Sequence, residues 1–295
     1  MQMIPTFEQL LRRVEERSAA FRSAVVGVAD VTADDHADGN AVPSGPVRLD
    51  TKVPSCPEWT LGDLVVHLGE VHGFWAATVA AGPAATAPSD VAFTEPAVGP
   101  QADGTEGMNP QSLAAWSLAA TEELLAALRA AGPEGGSWTW WGASDAPRTA
   151  EAVARHQVAE ALVHTYDAQL AGGREQSLPV PEALDAVDEF LHVGCGAVGP
   201  WPHEPATLVL RAAEGPAWQL ELTAEGARTH RLPSALPAPG SDVAALTAPG
   251  VAALTAHGTA SDLVLALYGR IPPERLELTG DREVLTRLLL WQPSE

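Results

Sequence analysis

The sequence predicts an α+β protein, with an N-terminal four-helix bundle followed by a small mixed α/β domain. Three observations predict it. Four long helical patterns, parted by Gly/Pro-rich loops, fill the first part of the chain. After Gly173 the texture changes to short strand-like runs such as ATLVLRAAE and AWQLELTA. The length of 295 residues and a hydrophobic content of 46% suit two modest domains, each with a core.

The first helix runs from about Thr6 to Val28, where Leu10, Leu11, Val14, Phe21 and Val25 share one face. A polar loop, ADDHADGNAVPSGP, follows. The second helix starts after VPSCPEW, with Thr60 as its cap and Asp63 at the third helical position, a capping-box pattern. It continues to about Val79. A loop rich in Ala, Pro and Gly from Ala81 to Asn109 leads to the third helix, near Gln111 to Ala131. GPEGGSWTWWGASDAPR then connects to the fourth, Thr149 to Ala171, which stops at Gly172-Gly173.

Beyond it, PEALDAVDEFLHVG reads as one more helix. ATLVLRAAE and AWQLELTA form two strands joined by a tight turn near Gly215-Pro216. GVAALTAHG is a third strand, TASDLVLALYGR a capped helix, ERLELTG a strand and DREVLTRLLLW a closing helix. The domains are 1–175 and 176–295.

Charge and cysteine content narrow the function. Asp and Glu number 38 against 17 Lys and Arg, a net charge of −21. That field repels phosphate backbones and anionic lipid heads, so no nucleic acid and no membrane is expected as partner. The two cysteines, Cys56 and Cys195, make no disulfide framework and suit reduced thiols in a cytoplasm. The N-terminus has no apolar stretch of the export type, and no uninterrupted apolar run reaches about 18 residues.

The chemistry gathers on the fourth helix. His156, Glu160 and His164 are spaced four apart and share one helical stripe. The second helix offers His67. Sites in bundles are built from inward side chains on facing helices. If these two helices pack together, two imidazoles and one carboxylate converge, a frequent ligand set for catalytic zinc with a position left open. Nickel, cobalt or ferrous iron suit the same set. Asp167, three residues beyond His164, is placed to accept from an imidazole N–H and fix its tautomer. A Glu and a His four apart on an exposed face would mean only solvation and weak pairing, and spacing alone leaves both readings open. His72, five residues from His67, points elsewhere. His156 either lines the cavity or faces solvent.

The runs VPSCPEWTLGDLVVHLGEVHGFW, EALVHTYDAQLAGG, GTASDLVLALYGR and LELTGDREVL resemble, in order and place, the mycothiol-dependent maleylpyruvate isomerase family. That family joins a DinB-like metal-binding bundle to a characteristic C-terminal α/β domain, and the likeness covers roughly residues 5 to 290. Carried over, the family's metal triad falls on His67, Glu160 and His164, with a divalent ion usually taken as zinc. The loops at residues 30–50 and 81–109 are where this sequence is most individual.

The resemblance implies an enzyme, a mycothiol-dependent isomerase or S-transferase. A metal-bound thiol has a lowered pKa and reacts as thiolate. The thiolate adds to an activated cis double bond; rotation and elimination then give the trans isomer, while addition alone is an S-transferase step. The expected partners are a small-molecule thiol and an electrophile, for a cytoplasmic monomer or small homo-oligomer. Arg270, at the end of LALYGR, is a candidate anchor for a substrate carboxylate, and also a residue favoured at a helix C-terminus. Trp138, Trp140 and Trp141 either roof a pocket or pack loop against bundle. Cys56 and Cys195 read as small packed residues. Two other functions stay open: a metal-dependent hydrolase or lyase that activates water, and a non-catalytic binding module.

Overall fold

The structure, a computed structural model, describes residues 5–26, 48–89, 99–100, 106–107, 110–233 and 251–291. The chain divides into two compact units, Met1–Trp138 with Arg148–Gln176, and Thr139–Pro147 with Ser177–Glu295. The α+β class holds, with helices first and the larger sheet second.

The first unit is built on α1 (Phe7–Val26), α2 (Leu61–Ala81), α3 (Pro110–Ala131) and α4 (Ala150–Ala171). Each starts or stops where local chemistry dictates. Thr60 caps α2: its hydroxyl accepts from the Asp63 amide at 3.2 Å, and Asp63 accepts from the Thr60 amide at 2.8 Å. Two of the orphan donors of the first turn are thereby satisfied. The helix ends at Gly82, whose φ of 76° lies in the left-handed region that favours glycine. Thr149 caps α4 through its hydroxyl alone, which accepts from the Ala152 amide. Every residue of α4 from His156 to Ala168 is buried, so it is the core helix of the unit.

Packing places α1 against α3 and α4, and α2 against α3 and α4. Phe21, Val25, Val53, Leu61, Leu64, Val65, Leu68, Leu113, Ala161 and Ala168 form the core between them. Each fully buried leucine there contributes about 1.5–3 kcal/mol by leaving water. By length and composition α2 is apolar enough to cross a membrane, yet half of that stretch is buried within the protein. Its apolar residues serve the core.

The sequence PSCPEW is more than an approach to α2. Lys52–Val53 (β1) pairs antiparallel with Cys56–Thr60 (β2), and β2 runs directly into the helix. The periodicity of five residues holding proline, cysteine and glutamate does not mark a strand; pairing with β1 makes it one. Most of the loop expected from Ala81 to Asn109 lies outside the described residues, as do 30–47. Within the former, Gly99–Pro100 (β3) pairs with Glu106–Gly107 (β4).

In the second unit, β5 (Ala206–Ala212), β6 (Ala217–Thr223), β7 (Gly226–Leu232), β8 (Ala252–Gly258) and β9 (Glu277–Gly280) form one sheet in the order β7-β6-β5-β8-β9. β5 and β8 run parallel and the other neighbours antiparallel. Helices α5 (Val180–Glu189), α6 (Cys195–Ala197), α7 (Ala260–Leu267) and α8 (Glu283–Trp291) complete the unit. β7 escapes a sequence reading because GARTHRL is polar, an edge strand with most of its side chains outward. Asp188 ties it down: one carboxylate oxygen accepts from Trp218 Nε1 at 2.8 Å and from Arg231 Nη2 at 2.9 Å. The helix PEALDAVDEFLHVG widens into a π turn at Phe190–Gly194. There the Leu191 carbonyl accepts from the Thr229 hydroxyl of β7 at 2.9 Å, a contact that a regular helix ladder would compete for.

The α2–α3 contact turns on one missing side chain. A Cβ on Gly69 would collide with the Trp116 ring. Gly69→Ala should therefore destabilise the protein by about 1–3 kcal/mol, because a rigid indole must swing aside. Urea unfolding of the two proteins measures the difference.

Candidate metal centre

The packing of α2 on α4 brings His67, Glu160 and His164 together. One ligand-type atom of each lies within 4.8 Å of the other two. His67 is half-buried, whereas Glu160 and His164 are buried, at 8% and 2% exposure. The two imidazole rings meet edge to face with centroids 5.1 Å apart. Glu160 stands between two histidines of its own helix: Oε2 is 3.4 Å from His164 Nε2 and Oε1 is 3.5 Å from His156 Nε2.

Asp167 fixes the His164 ring. Its Oδ2 lies 2.9 Å from His164 Nδ1 and its Oδ1 accepts from the Ser55 hydroxyl at 2.6 Å. A carboxylate accepts, so Nδ1 carries the hydrogen and Nε2 is the ring atom left for another partner. That Nε2 is buried and makes no hydrogen bond; its approach to Glu160 has the distance without the alignment. Burial works against a charge on His164, but the Asp167 hydrogen bond and the neighbouring Glu160 outweigh it and raise its pKa to about 9. This charge state belongs to the protein without an ion, since a cation at the same point would replace the proton.

His72 sits in the same unit with the opposite balance. It is fully buried. The single hydrogen of the Thr121 hydroxyl goes to the Ser117 carbonyl at 2.9 Å, so His72 Nδ1 is the donor across the 3.2 Å to Thr121 Oγ1. Burial, reinforced by the Arg22 charge, lowers its pKa to about 3. His72 is a neutral core imidazole and is not one of the three converging donors.

Aromatic rings border the triad. Trp59 of β2 lies 4.7 Å from the His67 ring and 6.5 Å from that of His164. His156, 5% exposed, meets the edge of Trp75 at 5.8 Å, and Trp75 in turn packs against Trp138. The three tryptophans of SWTWW part company. Trp138 joins the first unit beside Phe74 and Trp75, while Trp141 is fully buried in the second and donates to the Pro147 carbonyl at 3.0 Å. Arg270 lies just past α7 in the second unit, where its Nη1 donates to the Tyr268 carbonyl at 2.8 Å. Cys56 is half-buried at the start of β2. Cys195 is buried, and burial pushes its thiol up to about 12, so it carries no thiolate at neutral pH. Ser55 and Trp59 reach the site without any signal of spacing, because the hairpin that carries them is joined to α4 only through the fold.

Two imidazoles and a carboxylate gathered between helices, in a chain that continues into a five-stranded mixed sheet, define a two-unit α+β protein with a metal-type donor set. Residues 29–169 match the family described as mycothiol maleylpyruvate isomerase N-terminal domain, and residues 182–287 match the MDMPI C-terminal domain. The chain belongs to the mycothiol maleylpyruvate isomerase family. Among solved structures it is similar to the mycothiol-dependent maleylpyruvate isomerase and to a histidine-to-alanine mutant of it. The TM-scores are 0.52 and 0.51, with 13% identity and 93% of each chain covered in both cases. At that identity the likeness is one of fold. No curated protein matches by sequence.

The two buried histidines set how the ion-free protein answers pH. His72, depressed to about 3, leaves the unfolded chain binding more protons below its ordinary value near 6.5, so stability falls as pH drops through that range. His164, raised to about 9, contributes stability that is complete below about 6.5 and is lost as pH rises to about 9. Melting temperature in the presence of a chelator should therefore fall on both sides of about pH 6.5. His164→Gln should remove much of the alkaline fall, and His72→Gln should reduce the acid one.

Proposed function

We propose that this chain is a mycothiol-dependent enzyme, an isomerase or S-transferase acting on a small electrophile, with a divalent ion, zinc by its donor set, held by His67, Glu160 and His164. The observation that carries the reading is the convergence of the three donors from two helices to within 4.8 Å. The buried His164 Nε2 supports it, because it is turned to the donor side, 3.4 Å from the Glu160 carboxylate and out of hydrogen-bonding alignment with it. Two nitrogens and one oxygen form a catalytic type of zinc set, in which one position stays open. The family membership supplies mycothiol as the thiol and a maleylpyruvate-like electrophile as the substrate class.

When bound, the ion supplies positive charge that lowers the pKa of a thiol placed beside it. The chain's own residues do the rest. Asp167 holds His164 with Nδ1 protonated and Nε2 turned to the donor side. Glu160 contributes a buried negative charge that offsets part of the ion's charge. His156, against the second oxygen of Glu160 and the edge of Trp75, is proposed to border the substrate together with these aromatic rings. Arg270 is proposed as the cation for a substrate carboxylate, a group otherwise disfavoured by a net charge of −21. The nucleophile comes from the added thiol. Cys195 is held protonated by burial, and Cys56 packs beside the apolar core.

Metal analysis and turnover test the reading together. The purified protein should bind one zinc, and binding should tighten about tenfold per pH unit below about 9 as the His164 proton is displaced. His164→Ala should lose both the ion and the activity. With maleylpyruvate as substrate, omission of mycothiol should stop the reaction of the zinc-loaded enzyme, and Cys56→Ser should keep most of it. Arg270→Ala should raise KM for that anion and leave zinc content unchanged. Full turnover without added thiol, or a dead Cys56→Ser variant that is folded and metal-loaded, would overturn the mechanism.

A further inference from the structure

We propose that the β1–β2 hairpin is the device that positions the two imidazole donors, Ser55 acting on His164 through Asp167 and Trp59 acting directly on His67. The inference rests on the metal reading above and assigns roles to two residues outside the triad. The Ser55–Asp167 contact, at 2.6 Å, has the length of a hydroxyl bonded to an ionised carboxylate. Asp167 has no exposed surface, so its two oxygens are held on one side by Ser55 and on the other by His164 Nδ1 at 2.9 Å. The imidazole cannot swing without breaking a charge-assisted bond in a low-dielectric setting. Four residues further along the hairpin, the indole of Trp59 lies 4.7 Å from His67 with the planes inclined at 49°. His67 is the most exposed member of the triad and the one most in need of a wall.

The hairpin is stiff enough for this task. Lys52 pairs with Thr60, and Thr60 is itself the cap of α2. The Leu61 amide donates to the Thr51 carbonyl and the Gly62 amide to the Leu49 carbonyl, both at 2.9 Å. Val53 is fully buried in the core with Leu61 and Leu64. The hairpin is thus fastened to α2, which carries His67, and bonded to α4, which carries Asp167 and His164. It sets the relation of the two helices at the donor atoms. Outer partners of metal-bound histidines are worth about 10–100-fold in affinity.

Zinc affinity, read by competition with a chromophoric chelator, is compared for wild type, Ser55→Ala, Ser55→Thr and Trp59→Leu, each checked for folding by circular dichroism. Ser55→Ala should bind zinc at least about tenfold more weakly. Ser55→Thr, which keeps the hydroxyl, should recover most of that loss. Trp59→Leu should weaken zinc and shift the visible d–d bands of the cobalt-substituted protein, a signature of ligand geometry that lost packing alone would not move. It also tests the hairpin independently should Ser55→Ala fail to fold. Unchanged zinc affinity in Ser55→Ala, or a Ser55→Thr as weak as Ser55→Ala, overturns the relay. An unshifted cobalt spectrum in Trp59→Leu overturns the second half. Wild-type protein that binds no zinc overturns the metal reading itself, and the hairpin's role with it.

Discussion

A carboxylate with no exposed surface, Asp167, governs the arrangement of the helical unit. An ionised group in the interior costs several kcal/mol unless it is paired and hydrogen-bonded, and removing one partner of a buried pair costs about 3–5 kcal/mol. The chain answers that charge from two directions, with the Ser55 hydroxyl from the hairpin and the His164 imidazole one turn back on the same helix. Both bonds have consequences. The first draws the hairpin onto α4 across 112 residues of sequence. The second turns the His164 ring so that Nε2 looks toward Glu160.

The same arithmetic of burial separates the histidines. His72 and His164 are both buried, and both belong to helices that pack together. One has a hydroxyl and a guanidinium for neighbours and stays neutral; the other has two carboxylates and gains a proton. The carboxylates beside His164 stand on its own helix within four residues, whereas the partners of His72, Thr121 and Arg22, come from α3 and α1, so only the charge state of His164 is written locally.

How far the sequence could be read follows from where its information is local. The i, i+4 stripe of His156, Glu160 and His164 needs no more than a helix, and Thr60 with Asp63 marks the start of α2 in four residues. The strands ATLVLRA and AWQLELT declare themselves by apolar content. His67 is legible only from the packing of α2 on α4 and from the family resemblance, since no single helix encodes its neighbour. Ser55 stayed hidden because Asp167 lies 112 residues away, and Trp59 because its ring meets His67 across the passage from strand to helix, where no regular spacing applies. β7 stayed hidden because an edge strand with polar side chains looks like a loop until its partner is known. The π turn at Phe190 replaces a regular turn for the sake of a contact with Thr229, again a nonlocal cause.

The excursion Thr139–Pro147 bears on how the chain could be cut. This short stretch belongs to the second unit although α4, which follows it, belongs to the first. It brings Trp141, a fully buried indole bonded to the Pro147 carbonyl. The two units are therefore interleaved along the polypeptide, and no single peptide bond separates them. A fragment beginning at Ser177 lacks a large piece of its own core, and one ending at Gln176 carries that piece as an orphan. During synthesis the second unit holds an early instalment of its core while α4 is still being made. Shuffling or fusing these units as modules would need three junctions, one on either side of the tryptophan loop and one between Gln176 and Ser177.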